Sequence, residues 1–109
     1  MTVAKKGAES TPFFRSVVTT ASVSVSNLEV GTRYVVTLDG EAEHETREFV
    51  TEDLAPRCIG LSGRTNTRDM GGRTLPNGRR VRQGLLYRTG QFDNAGELSI
   101  SEETRRYIV

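Results

Sequence analysis

NTRDMGG, residues 66–72, is the stretch on which the reading of this chain turns. Asn66, Arg68 and Asp69 stand together, and the pair Gly71-Gly72 follows them. A glycine pair lets the backbone take positive φ or approach another group closely. Asn and Asp can hydrogen-bond their own backbone and hold a tight turn. Taken alone, the seven residues read as a polar surface turn ahead of a hairpin. Their neighbours add a second reading, in which the stretch is the entrance to a domain that handles anions.

Basic residues crowd around it. The 109-residue chain has 15 Lys and Arg against 14 Asp and Glu, a formal net charge of +1. Such a balance argues against bulk attraction to nucleic acid or to a membrane surface. Between Arg57 and Arg88, however, there are eight arginines, no lysine and one acid, Asp69. Arg suits bidentate contact with carboxylate or phosphate. Apolar residues make up 35% and there is no Trp, so the core is expected to be thin. The single Cys excludes an intrachain disulfide. Met1–Ser10 has two lysines and no apolar h-region, so no signal peptide is visible; the parent could be cytoplasmic or exported. No run approaches the length of a membrane-spanning helix.

Upstream of the stretch the pattern is that of strands. Residues 13–20 are rich in β-formers, and SVSVS, 22–26, alternates with period two. TRYVVTLD, 32–39, is the strongest strand signal, with TREFVT, 46–51, as its return. Asp39-Gly40 is a hairpin-type pair between them. Glu41–Glu45 reads as a charged loop or frayed strand end, and Leu54–Arg57 as a linker, because Pro56 has no amide to donate. Leu28-Glu29-Val30-Gly31-Thr32-Arg33-Tyr34 resembles the L-x-P-G-T-x-Y signature of fibronectin type III domains, with Val30 in place of Pro. Phe49-Val50-Thr51 resembles the end of that family's last strand. The resemblance spans roughly 13–53, about four strands where the whole sandwich has about seven. A chain that starts inside such a domain is therefore expected.

Downstream, Asn77-Gly78 has the chemistry of a type I′ hairpin turn. Arg79–Arg82 and Leu85–Tyr87 are short strand candidates. Ser99 with Glu102 makes a capping box, S-x-x-E, with Ser101 as the rival cap. The helix they start runs to Val109, with no terminating signal.

NTRDMGG, then PNGRRVRQGLLYRTG, then ELSISEETRRYI resembles the N-terminal part of bacterial tyrosine phosphatases related to mycobacterial phosphatase B. Several elements in order, over 64–109, carry this likeness. It implies a cysteine-dependent phosphatase of dual-specificity-like fold, needing no cofactor and acting on a phosphorylated protein or a phosphoinositide. The family's catalytic loop, H-C-x-x-G-x-x-R, lies further downstream and does not occur in these 109 residues. The resemblance leads us to expect an inactive piece of a phosphatase. Its fold class would be α+β, mostly antiparallel: a partial fibronectin-like domain over 1–55, then the first strands and first helix of a phosphatase domain over 56–109. Asn66, Arg68, Asp69 and Arg88 are the candidates for support of the phosphate loop; Arg68 and Asp69 pairing with each other in a surface turn is the rival.

Cys58 to Thr65 formally fits the bare loop pattern C-x5-R-S/T, with Cys58 and Arg64 at its ends. It is rejected as a catalytic loop. A polar stretch with Pro56 precedes it, Arg57 stands where the family has His, and no helix-forming sequence follows Arg64. His44 has no second His or Cys at metal spacing and reads as a solvated side chain. Glu41, Glu43, Glu45 and Glu48 read as a solvated face. The runner-up function is a non-enzymatic β-rich module whose arginines contact an acidic partner.

Overall fold

The computed structural model describes residues 1–60, 66–90 and 102. The chain divides into two compact units, Met1–Asp53 and Leu54–Val109. Among the described residues the regular structure is antiparallel β apart from Glu102, which is helical, and no helix is long and apolar enough to cross a membrane.

The first unit is a four-stranded sheet in the order β2-β1-β3-β4. β1 is Thr2–Lys5, β2 Phe14–Arg15, β3 Arg33–Asp39 and β4 His44–Val50. β3 and β4 form the hairpin expected from 32–39 and 46–51, pairing from Arg33↔Val50 to Asp39↔His44. The connection is not a two-residue Asp-Gly turn. Gly40–Glu43 form the loop, closed by the Gly40 N–H donating to the Glu43 carbonyl at 2.8 Å. Residues 44 and 45, within the stretch read as a charged loop or frayed strand end, are the first residues of β4. His44 reaches across to Asp39 at 2.5 Å, its ring otherwise exposed.

β1 lies in a segment that the sequence marks as polar. It is a strand because it pairs with β3, Val3 opposite Val36 and Ala4 opposite Val35, burying Val3 and Ala4. Tertiary pairing decides strand formation more than local propensity does. The reverse holds at 22–26: the alternation is present, but the segment is not strand and Val23 is exposed.

Tyr34 fixes the entry to β3. Its side chain is fully buried, and its ring stacks on its cross-strand partner Phe49 with centroids 5.7 Å apart. Its hydroxyl accepts the Glu29 N–H at 3.0 Å, holding the turn between Asn27 (φ +63°) and Gly31 (φ +55°). Thr51 ties the other side: its Oγ1 accepts from the Thr32 N–H at 2.9 Å and donates to the Glu29 carbonyl at 2.6 Å. This single sheet is what the described residues of the unit contain; a second, facing sheet is not among them.

In the second unit β5 is Arg68–Asp69 and β6 is Tyr87–Arg88. Cys58 bridges Arg68 on the other side of β5, and Thr74 bridges Arg80. The 73–81 hairpin turns at Pro76–Gly78. Only Gly78 takes positive φ (+78°), and its N–H donates to the Leu75 carbonyl at 2.9 Å. The expected type I′ pair does not form. Pro76 presets φ for the first corner of a type I turn, leaving Gly78 alone in the left-handed region. The phosphatase-domain helix expected from Ser99 lies outside the described residues, apart from Glu102.

Two predictions follow from the first unit. Tyr34→Phe leaves the Glu29 N–H without its acceptor and should cost about 1 kcal/mol in urea denaturation; a change within error would remove the hydroxyl from the account. Glu48 is held below its ordinary value of 4.5, chiefly by the Lys6 side chain and then by Arg33. A lowered carboxylate contributes stability that is present above its ordinary value and lost as pH falls through the lowered one. Glu48→Gln should therefore flatten the loss of stability as pH falls below the ordinary carboxylate value of 4.5, read by thermal unfolding across pH.

Candidate functional site

The residues of 66–72 separate onto two faces because β5 alternates. The bridge Cys58↔Arg68 and the pairs Arg68↔Arg88 and Asp69↔Tyr87 set the register. Cys58, Arg68 and Arg88 therefore share one face, and all three are exposed. Arg57, Ile59, Thr67 and Asp69 share the other, and all four are buried.

Asp69 is the centre of the buried face, with no exposed surface. The Arg57 guanidinium donates to its Oδ2 through Nε and Nη2, each at 2.9 Å. The Gly84 N–H donates to the same oxygen at 2.7 Å, and the Gly71 N–H to Oδ1 at 2.9 Å. The Asp69 N–H in turn donates to the Arg57 carbonyl at 3.1 Å. Arg68 and Asp69 do not pair with each other. The ion pair is Arg57–Asp69, and Arg57, read as linker, is a buried member of the ladder.

Gly71 is glycine for a steric reason. A Cβ there would lie 2.2 Å from the Arg82 carbonyl oxygen and 2.6 Å from Gln83 Cα, both backbone atoms. Gly84 sits at φ +81°, which turns its N–H onto Asp69. The 82–84 backbone is thus held against 69–71 by close approach and by the carboxylate together. Sequence reading missed Arg57 and Gly84. One signal was present: a lone acid among eight arginines has a cation available wherever it is buried.

On the opposite side, Asn66, Arg68, Arg88, Thr89 and Gly90 line a cavity of about 280 Å³. Three of the four expected support residues meet here; Asp69 does not. Asn66 takes a left-handed conformation at φ +59°. The Thr89 hydroxyl meets that of Thr67 at 2.8 Å. Arg68 and Arg88 are direct cross-strand neighbours, a placement that is destabilising for like charges. Among the described residues no carboxylate pairs with either. Arg73, Arg79, Arg80 and Arg82 are exposed as well. With Asp69 committed to Arg57, this part of the unit carries a concentrated positive field.

Of the rejected loop, Cys58 is an exposed free thiol. Ile59 continues the ladder, its N–H donating to the Thr67 carbonyl at 2.9 Å. Arg64 lies outside the described residues. No cluster of potential metal ligands occurs among the described residues.

Residues 59–103 match the family model described as the tyrosine phosphatase family, about two fifths of the 109-residue chain. No curated protein and no solved structure matches. The match supports a tyrosine phosphatase as the parent of this segment, and it covers Asn66 to Gly72, both Arg68 and Arg88, and the cavity between them.

Arg57→Ala should destabilise the second unit by about 3–5 kcal/mol, because it leaves a buried carboxylate without its cation. Gly71→Ala should cost about 1–3 kcal/mol or more through overpacking. Both are read by denaturant unfolding of the chain, with Arg73→Ala as a surface control near zero. Stability within about 0.5 kcal/mol of wild type in either variant would contradict this assignment.

Proposed function

We propose that residues 56–109 are the front of a bacterial protein-tyrosine phosphatase domain resembling mycobacterial phosphatase B, set behind a partial fibronectin type III-like domain over 1–55. The observation that carries the reading is the family match over 59–103. The order of NTRDMGG, the YRT segment and the capping box supports the finer assignment. For the front segment, support comes from the Tyr34 hydroxyl tied back to Glu29, a contact of the kind that marks the tyrosine corner of such sandwiches.

The parent would hydrolyse phosphate monoesters, phosphotyrosine or a phosphoinositide. In that chemistry a cysteine thiolate attacks phosphorus and the ester P–O bond breaks. The leaving oxygen takes a proton, and water then releases phosphate from the thiol. The loop that supplies this thiolate is not in the 109 residues, and Cys58 is not its substitute. In this reading Asn66, Arg68 and Arg88 brace the phosphate loop from the cavity side. Asp69 supports it indirectly, by fixing β5 through Arg57.

A second reading rests on the exposed arginines: a binding module without enzymatic activity that meets an acidic partner. The two separate in a longer chain that includes H-C-x-x-G-x-x-R. That chain should release phosphate from p-nitrophenyl phosphate. Arg68→Gln or Arg88→Gln should lower turnover by about 10²-fold if loop geometry is disturbed, while Cys58→Ser leaves it unchanged. The 109-residue chain should release none. Activity of this chain that disappears in Cys58→Ser would overturn the assignment.

A further inference from the structure

We infer that the Arg68–Arg88 cavity is itself a binding site for a phosphate dianion, free or as a monoester, and that it works in this chain without a catalytic loop. The inference deepens the proposed role of Asn66, Arg68 and Arg88: they contact the anion directly as well as bracing a loop.

Three observations carry it. First, Arg68 and Arg88 are direct cross-strand partners on one exposed face, and among the described residues no carboxylate pairs with either. Opposed like charges are unfavourable until an anion sits between them. Second, the opposition is built in. Asp69 locks β5 on its far side through Arg57, Gly71 and Gly84, so Arg68 is held outward by the alternation of the strand. Arg88 is held opposite it by the pairing Asp69↔Tyr87. Two pre-placed planar donors suit the oxygens of a phosphate. Third, the space is limited. The cavity of about 280 Å³ is at the lower edge of ligand pockets, which run from about 300 Å³. Its described lining is polar, Asn66, Thr89 and Gly90 adding amide, hydroxyl and backbone groups. This suits a small multiply charged oxyanion and the first atoms attached to it.

The test uses the 109-residue chain at constant ionic strength. Thermal unfolding and amide chemical shifts are followed as inorganic phosphate, O-phosphotyrosine or acetate is added. Phosphate or O-phosphotyrosine should give a saturable rise in Tm, with shifts centred on residues 66–68 and 88–90. Tighter binding of O-phosphotyrosine would assign the ester as ligand and equal binding would assign free phosphate; both support the inference. Arg68→Gln and Arg88→Gln, both at exposed positions, should each weaken binding by roughly tenfold or more. Each should also raise Tm in phosphate-free buffer, by removing the opposed charges. Arg73→Gln should leave binding unchanged. An equal response to acetate, or a phosphate response that survives both variants, would overturn the inference. So would the absence of a saturable response. Failure here leaves the hydrolytic reading standing, because hydrolysis is measured on the longer chain.

Discussion

The second unit depends on one buried carboxylate. Taking Asp69 out of water costs several kcal/mol, and only near-complete pairing offsets that. Its four short donor contacts come from three places: the Arg57 side chain, Gly71 next to it and Gly84 on the far side of a hairpin. The described residues of the unit, which bury little apolar material, are thereby tied together by polar contacts. Ile59 is its one buried large hydrophobic residue among those described, whereas Leu75, Leu85 and Leu86 are exposed. The same constraint sets the outer face. With Asp69 turned inward, strand alternation turns Arg68 outward, and the pairing of β5 with β6 brings Arg88 beside it. Structure and candidate chemistry are two sides of one short strand.

The first unit uses different physics. Its strongest anchor is an aromatic residue, Tyr34, which buries its ring and gives its hydroxyl to the turn that leads into its own strand. Stacking on Phe49 adds about 0.5–1.5 kcal/mol beyond area burial. β4 lies at the sheet edge with every residue exposed, and its charges are met locally: Glu48 by Lys6 and Arg33, Glu45 by Arg47. Charged edge strands resist pairing with other chains.

What could be read in the sequence follows this division. The β3–β4 hairpin was legible because alternation and β-branched residues act locally. β1 was not, since its strand character comes from pairing with β3, a contact at long range. The expectation at 22–26 failed for the same reason, because alternation alone supplies no partner. In the second unit the oddity of 66–72 was legible, and so was the pairing of arginine-rich chemistry with a glycine pair. The split of Arg68 from Asp69 was not. It depends on Arg57, twelve residues earlier and behind a proline, which no local pattern joins to Asp69. The Asn77-Gly78 turn was misread because Pro76, the residue before the pair, sets the turn type.

The most direct test of the account is hydrogen exchange at Gly84. This residue is exposed and lies outside any strand, so its amide would exchange freely if Asp69 did not hold it. The account predicts that the Gly84 amide is protected to the same degree as Met70 and Gly72, whose N–H groups donate to Leu86 and Val81. It also predicts that this protection is lost together with that of Gly71 in Asp69→Ala. A Gly84 amide that exchanges as fast as an unfolded peptide, while Met70 and Gly72 stay protected, would contradict the claim that the Asp69 carboxylate organises the unit.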